Sequence, residues 1–292
     1  MTLTHTQASH FPPLFISHGS PMTALEPREA GSFMQALGRS LDQGFGRPRA
    51  IVSISAHCLA SQPTLWSGSQ HRAIYDFGGF DPLLRSLRYD AAGAPGLASE
   101  VLALASQAGQ TIQSRSQGGL DHGAWTPLRY LYPHADVPVL PLAFAPLASP
   151  AEQFALGALL APLAATGVLI IASGSITHNL GLVFGAGGPR PAIDAPEIAA
   201  SAAFRNWLLA RSAALDWPAL LDYRRQAPYA ESMHPTDEHL LPWFIAAGAG
   251  GSNDAPQRIH ASLTFGALGM DAYAFGPQAQ SLARTLCADA PL

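Results

Sequence analysis

Histidines that follow short apolar runs are the residues of this sequence best suited to chemistry. The chain contains 11 histidines, and His18, His57 and His178 each come at or just past the end of a separate apolar run. Neutral imidazole nitrogens bind divalent transition metals, and imidazole exchanges protons near neutral pH. Three such groups in equivalent positions predict a metal centre or an acid–base site.

Other histidines stand where helices are expected to begin. His122 opens a helical pattern directly after a glycine-rich loop, and His234 and His239 lie in the segment 234–239, which opens another. The remaining five occupy polar or loop contexts, and we expect them to be ordinary surface residues. These five are His5, His10, His71, His134 and His260.

Several familiar catalytic patterns are absent from the sequence. It has no Gly-x-Ser-x-Gly elbow, no Gly-x-Gly-x-x-Gly fingerprint and no P-loop, which disfavours α/β-hydrolase, dinucleotide and nucleoside triphosphate chemistry. It also lacks Cys-x-x-Cys and His-Glu-x-x-His, the familiar structural zinc and zincin patterns. The two cysteines, Cys58 and Cys287, are too few for a disulfide framework. We expect Cys58 to face the core, because strand neighbours point to opposite faces and His57 faces the site.

The elements that must position the histidines alternate along the chain. Four apolar runs are continuous rather than alternating, which is typical of strands covered on both faces. They lie at about 14–16, 50–55, 137–144 and 168–172. Helical patterns lie at about 21–41, 95–108, 123–132, 150–165 and 196–215.

This order of elements predicts an α/β fold with one catalytic domain over residues 1–292. We expect a central, mostly parallel or mixed sheet with helices on both faces. Ligands of such sheets bind outside the carboxyl ends of the strands, so we expect the active site there. The segment 262–275 predicts two late strands at the sheet edge, and the glycine-rich stretches 185–188 and 248–251 predict loops.

One uncharged stretch, 154–172, imitates a membrane span. Ser149 and Glu152 form a capping box that begins a helix near residue 150, and Thr166-Gly167 ends it. We therefore interpret the stretch as a helix followed by a buried strand, an arrangement that does not cross a bilayer.

Composition narrows the function classes further. Apolar residues make up 48% of the chain and charged residues 12%, with a net charge of −4 and no lysine. This composition excludes a disordered chain, and the absence of a basic run disfavours nucleic acid as a partner. The first 15 residues lack the regions of a signal peptide. Together with the sparse cysteines, this favours a cytoplasmic protein without a membrane partner.

Six blocks of the sequence resemble the class III extradiol ring-cleavage dioxygenases, in the DOPA-dioxygenase-like branch. The blocks occur in the family's order and span most of the chain. They are residues 13–22, 53–57, 75–80, 120–125, 172–180 and 235–239. The resemblance implies an enzyme that opens a catechol, DOPA-like or another aromatic diol, beside its two hydroxyls with O₂. It also implies one non-haem Fe(II), with Zn(II) as a metal that the same site would hold.

The resemblance also implies a role for each histidine. His18 and His57 would be metal ligands, His178 the acid–base residue that accepts a catechol proton, and His122 a second catalytic histidine. The third ligand matches His239. Glu238 is the alternative, because the wider class uses two histidines and a glutamate.

Only one of these two neighbours can face the metal, because successive helical side chains point about 100° apart. We favour His239 as the ligand. His234 is a further candidate for that position, and we otherwise expect it near the substrate.

Two other functions remain open on the residues alone. One is a zinc-dependent hydrolase on the same histidine cluster, with Asp121 or Glu238 as the carboxylate base. The other is a non-catalytic relative that binds a metal or a small molecule. Oxygen uptake in the presence of a catechol separates the dioxygenase from both.

The segment 75–80 has two adjacent glycines between aromatic residues and predicts a loop. Loops carried by a rigid sheet commonly line sites. We therefore predict that Phe77 or Phe80 forms a wall of the substrate cavity. The alternative is that the loop packs into the core for stability alone.

Overall fold

A computed structural model describes residues 10–185 and 189–288. Within these ranges twelve strands occur. They are β1 (Leu14–Ser17), β2 (Ala50–Ser55), β3 (Thr64–Trp66), β4 (Gln70–His71), β5 (Ala91–Ala92), β6 (Gln113–Arg115), β7 (Val139–Ala143), β8 (Val168–Gly174), β9 (Gln257–His260), β10 (Leu263–Thr264), β11 (Leu268–Gly269) and β12 (Ala272–Ala274).

Eight of these strands form one mixed sheet in the order β6-β3-β7-β2-β8-β1-β12-β9. The four central strands, β7, β2, β8 and β1, are parallel. They are the same four that continuous apolar runs predicted. Ser17 pairs with Gly174, and Ser55 pairs with Ser173, so the carboxyl ends of β1, β2 and β8 lie side by side.

The helices cover both faces of this sheet, as predicted. They are α1 (Arg28–Phe45), α2 (Pro95–Gln107), α3 (His122–Leu131), α4 (Pro150–Ala164), α5 (Gly181–Phe184), α6 (Ala199–Ala213), α7 (Trp217–Leu221), α8 (Tyr223–Gln226), α9 (Ala230–Met233), α10 (Leu241–Gly250) and α11 (Ala279–Ala288). Alternate strand residues enter two separate cores. Phe15 packs in the core formed with α4 and α10, whereas Leu14 and Ile16 pack in the core formed with α1 and α3.

The prediction of a loop at 248–251 was wrong for its first three residues, which belong to α10. Gly248 of α10 and Gly157 of α4 lie where these two helices pack together. A Cβ on Gly248 would be 1.9 Å from the carbonyl oxygen of Phe154, and a Cβ on Gly157 would be 1.9 Å from that of Ile245. Glycine is used here for close helix contact rather than for a turn.

Two further predicted elements differ from the structure. In 262–275 the residues form a small β10–β11 hairpin and then β12, which lies inside the sheet between β1 and β9. The predicted helix 21–41 is a 3₁₀ turn over Pro21–Ala24 followed by α1, because Pro27 has no N–H with which to continue the first turn. Of the predicted loop 185–188, only Gly185 lies among the described residues.

The uncharged stretch folds as predicted. Ser149 and Glu152 form a capping box at the start of α4, and the helix ends before β8 begins. Across the described residues, the helices are all too short or too polar to cross a membrane.

Candidate metal centre

Three imidazole nitrogens converge at the carboxyl end of the sheet. His18 follows β1, His57 lies two residues past β2, and His239 lies just before α10. The Nε2 atom of His57 is 3.2 Å from that of His18 and 3.3 Å from that of His239. Nitrogens about 2.1 Å from one metal ion, roughly 100° apart, are separated by about 3.2 Å. Each of these two spacings therefore matches a pair of donors on one divalent ion.

Hydrogen bonds fix which nitrogen of two of these rings carries the proton. The Ser173 hydroxyl donates to the carbonyl oxygen of Gly123 at 2.6 Å, so it accepts from Nδ1–H of His18 at 2.8 Å. Likewise, the Glu238 carboxylate accepts from Nδ1–H of His239 at 3.1 Å. Both neutral rings therefore present an unprotonated Nε2, which is the form that binds a metal.

The residues considered for the third position occupy different places. Glu238 supports His239 from the far side of its ring, and the hydroxyl of Thr236 also donates to this carboxylate at 2.9 Å. The hydrogen bond from His239 lowers the pKa of Glu238 to about 2, so the group is ionised. His234 is fully buried, and its Nε2–H donates to the carbonyl oxygen of Ile176 at 2.8 Å. It does not line the cavity described below.

Burial keeps His18 and His57 neutral. Loss of hydration lowers the pKa of His57 to about 3, and repulsion from His122 and His239 adds to the effect. Burial also lowers the pKa of His18 well below its usual value. Neutral imidazole is the metal-binding form, so the site is prepared for a cation at neutral pH.

His122 is held by a carboxylate that the sequence analysis did not single out. Both the backbone N–H of His122, at 3.0 Å, and its ring Nδ1–H, at 2.9 Å, donate to Asp76. The same carboxylate lies 3.7 Å from Nδ1 of His57. Burial alone would raise the pKa of Asp76, but the hydrogen bonds from His122 lower it on balance. Asp76 therefore fixes the orientation of His122 and leaves Nε2 as the other polar atom of that ring.

His178 packs directly on a member of the cluster. Its ring is stacked on that of His239, with centroids 3.4 Å apart and planes 9° apart. Within the described ranges its ring nitrogens make no hydrogen bond, and the residue lines the cavity. Burial lowers its pKa to about 2, so the ring is neutral at neutral pH.

Candidate donor atoms that lie within 4.8 Å of one another form two groups. One comprises His18, His57 and His122, and the other comprises His178, Glu238 and His239. The contact between Nε2 of His57 and Nε2 of His239 joins the two groups into one cluster. Since Asp76 holds His122 and Glu238 is bonded to the far nitrogen of His239, the shared focus is the set His18, His57 and His239.

A cavity of about 160 Å³ lies against these histidines. Five imidazoles line it, from His18, His57, His122, His178 and His239. Most of the other lining residues are apolar, namely Pro21, Phe77, Phe80, Leu180, Phe184, Phe265 and Leu268. Such a cavity suits a flat, apolar ring with polar groups on the edge that meets the histidines.

The segment 75–80 is a loop, as predicted. Gly79 has a φ of +76°, a conformation that favours glycine. The Phe77 ring meets His122 edge to face at 5.7 Å, and Phe80 meets Phe77 in the same way at 5.8 Å. The prediction that the Cys58 thiol is buried is also confirmed.

The expectation for the five remaining histidines was partly wrong. His71 is only 1% exposed, and it belongs to β4, where it pairs with Ala91 of β5. His260 is half-buried and stacks on Phe33 with centroids 4.4 Å apart. His134 is exposed and His10 half-buried, whereas His5 lies outside the described residues.

Known proteins are similar to this chain in both sequence and fold. Residues 5–276 match the family described as the catalytic LigB subunit of aromatic ring-opening dioxygenase. A Beta vulgaris protein named 4,5-DOPA dioxygenase extradiol is 36% identical over 265 residues, which cover 89% of this chain and 95% of the relative. An Escherichia coli K12 protein of the same name is 32% identical over 249 residues, or 83% and 86% of the two chains.

A solved structure agrees with these matches. The crystal structure of an uncharacterized protein from Escherichia coli K12 superposes with a TM-score of 0.72 at 27% identity. The superposition covers 91% of this chain and all of the other. The chain therefore belongs to the class III extradiol dioxygenases, in their DOPA-dioxygenase-like branch.

Proposed function

We propose that this protein opens the ring of a catechol beside its two hydroxyls, with O₂ as co-substrate and Fe(II) as the resident metal. The observation that carries the proposal is the convergence of three Nε2 atoms, at spacings of 3.2 and 3.3 Å, beside a mainly apolar cavity. His18, His57 and His239 are the proposed ligands. When bound there, Fe(II) would acidify a coordinated hydroxyl and supply the redox chemistry that O₂ needs.

The chain's own contribution begins with proton transfer. His178 is neutral, lines the cavity and has no competing hydrogen bond from the described residues, so one of its ring nitrogens accepts a proton from a catechol hydroxyl. Stacking on His239 keeps its ring beside the ligand cluster. A positioned histidine of this kind typically contributes about 10²–10⁴ to a rate.

His122 acts from the other side of the cluster. Asp76 holds Nδ1–H, so a proton taken up by this ring goes to Nε2, and the carboxylate stabilises the resulting cation. That proton comes from the second catechol hydroxyl, and Nε2 of His122 returns it to the ring-opened product. Phe77 orients this ring by its edge-to-face contact and limits the access of water.

The zinc-hydrolase alternative has less support. It requires a carboxylate that faces a metal-bound water as a general base. Glu238 is engaged by His239 and Thr236, and Asp121 accepts hydrogen bonds from the Ser55 hydroxyl and the backbone N–H of Ala124. Neither carboxylate lines the cavity. The complete histidine set also argues against a non-catalytic relative.

The test is anaerobic reconstitution with Fe(II), followed by O₂ uptake with a small panel of catechols. We expect one O₂ consumed for each catechol opened and the appearance of a visible semialdehyde chromophore. Protein loaded with Zn(II) is the matched control, because zinc occupies the same ligands without redox chemistry. Fully Fe(II)-loaded protein that consumes no O₂ with any catechol would contradict the proposal.

Replacing Phe80 with alanine should weaken substrate binding and leave the fold intact. Phe80 lines the cavity but is 37% exposed, so its loss should cost well under the about 3–5 kcal/mol typical of a buried phenylalanine. We expect a severalfold increase in KM and a small change in Tm. Phe244→Ala, in the buried core, is the control for stability. A large fall in Tm with unchanged KM would assign Phe80 to core packing instead.

Replacing Asp76 with alanine should slow turnover more than it weakens substrate binding. The carboxylate holds the ring of His122, and removal of a group that supports an active-site histidine commonly costs about 10–100-fold. We expect kcat to fall by that amount while KM changes little, with partial rescue in Asp76→Asn, whose side-chain oxygen still accepts a hydrogen bond. Asp90→Asn, at an exposed position, is the control. An equal fall of kcat in Asp90→Asn would show that the effect is not specific to Asp76.

A further inference from the structure

His178 lies on a segment without regular secondary structure. Residues 175–180 connect β8 to α5 and form neither a helix nor a strand. Within residues 10–185 and 189–288, the ring of His178 has no hydrogen-bond partner, so its position depends on stacking against His239 and on the backbone that carries it. The backbone N–H of His178 donates to the carbonyl oxygen of Met233 at 2.8 Å. The position of this ring therefore depends on how the neighbouring residues of the segment are held.

The hydroxyl of Thr177, the residue before His178, makes two hydrogen bonds to the β10–β11 hairpin. It donates to the carbonyl oxygen of Ala267 at 2.8 Å and accepts from the backbone N–H of Gly269 at 2.7 Å. The carbonyl oxygen of Thr177 in turn accepts from the Ser175 hydroxyl at 2.8 Å. Because Thr177 is fully buried, water does not compete for these bonds. Both the side chain and the backbone of Thr177 are therefore fixed.

The hairpin that Thr177 contacts carries part of the cavity wall. Phe265 and Leu268 belong to it, and both line the histidine-lined cavity. Each of its strands has only two residues, and an isolated two-stranded hairpin is at best marginally stable. Phe265 also has a φ of +55°, a conformation that is unfavourable for a bulky residue. The hairpin therefore depends on bonds to other segments, which are the backbone bonds to Ile193 and Ile198 and the two bonds to Thr177.

We propose that Thr177 is a positioning residue that sets the ring of His178 relative to the cavity wall formed by Phe265 and Leu268. A proton acceptor works only within hydrogen-bond reach of its donor, and a displacement of about 1 Å can cost about 100-fold in rate. Thr177 itself does not line the cavity, so it acts through its neighbour. The inference rests on the ring cleavage proposed above and adds a residue that affects the rate without touching the substrate.

Two substitutions separate the hydroxyl of Thr177 from its methyl group. Thr177→Val removes the hydroxyl and keeps the shape, whereas Thr177→Ser keeps the hydroxyl. We expect kcat of the valine variant to fall about 10–100-fold with bound metal retained, and the serine variant to keep most of the rate. Thr64→Val is the matched control, because Thr64 is 1% exposed and its hydroxyl donates to the carbonyl oxygen of Gln62. It should keep the full rate. A serine variant as slow as the valine variant would overturn the inference.

A double-mutant cycle with His178→Ala shows whether Thr177 acts through His178. If it does, Thr177→Val should have no further effect on kcat once His178 is alanine, because residues that act as a unit are not additive. A second fall of about 10–100-fold in the double variant would show that Thr177 acts independently and would overturn the inference. If Thr177→Val does not fold, Thr177→Cys replaces it in the cycle, because a thiol is only a weak donor and acceptor.

An NMR measurement separates failure of this inference from failure of the proposed reaction, because it needs no turnover. In Zn(II)-loaded protein with isotopically labelled histidine, the ring signal of His178 is the one missing from His178→Ala. Its chemical shift reports the stacking on His239. We expect this signal to move in Thr177→Val and to stay in place in Thr177→Ser and Thr64→Val. That result would support the inference even if no catechol were opened, whereas an unmoved signal in Thr177→Val would contradict it even if ring cleavage stood.

Discussion

We expect the His57→Ala variant to lose both its metal and its activity. His57 is the middle donor of the cluster, with Nε2 atoms of His18 and His239 at 3.2 and 3.3 Å. Loss of a group that only supports a ligand costs about 10–100-fold in affinity, so loss of a ligand itself should exceed about 100-fold. Metal content after reconstitution and desalting, read by atomic spectroscopy, measures the effect.

The fold should survive this substitution, because the His57 side chain is 26% exposed and lies outside the sheet. Circular dichroism and Tm verify this. His134→Ala, at an exposed position, should retain metal and activity in full. A His57→Ala protein that holds one Fe(II) per chain would show that the proposed ligand set is wrong.

The His178→Ala variant, in contrast, should retain its metal and lose turnover. His178 stacks on His239 but lies outside the converging Nε2 set. As the proposed proton acceptor, it should contribute about 10²–10⁴ to kcat. Metal analysis and O₂ uptake on the same preparation measure both quantities.

Equal metal loss in the His178 and His57 variants would instead make His178 a ligand. His178→Gln is a useful second variant, because its amide preserves bulk beside His239 but does not act as a base. If the glutamine variant turned over at the rate of the unaltered enzyme, proton transfer by His178 would be disproved.

The sequence predicted the parts of the fold that depend on local patterns. Continuous apolar runs identified the four parallel strands, and the capping box at Ser149 identified the start of α4. The order of strands at the edge was not predictable in this way. The position of β12 between β1 and β9 depends on pairing between distant segments, which leaves no periodic signal.

The same distinction applies to the site. The sequence identified His18 and His57 because each of them follows an apolar run that predicts a strand. The residues that hydrogen-bond to the histidines could not be found from local patterns, because Ser173 is 155 positions from His18 and Asp76 is 46 positions from His122. Asp76 lay within a block that resembles the family, but only the three-dimensional structure pairs its carboxylate with an imidazole.

The attachment of His239 to the sheet has a consequence for how the protein matures. The backbone N–H of Ser175 donates to the carbonyl oxygen of His239 at 2.9 Å, and a Cβ on Gly174 would lie 2.1 Å from that oxygen. The third nitrogen is therefore fixed to the end of β8, yet it comes 182 residues after His57. During synthesis on the ribosome, a nascent chain that ends before His239 would offer only two of the three proposed ligands. On the proposed ligand set, tight metal capture would coincide with the docking of this late segment and would couple maturation of the centre to completion of the polypeptide.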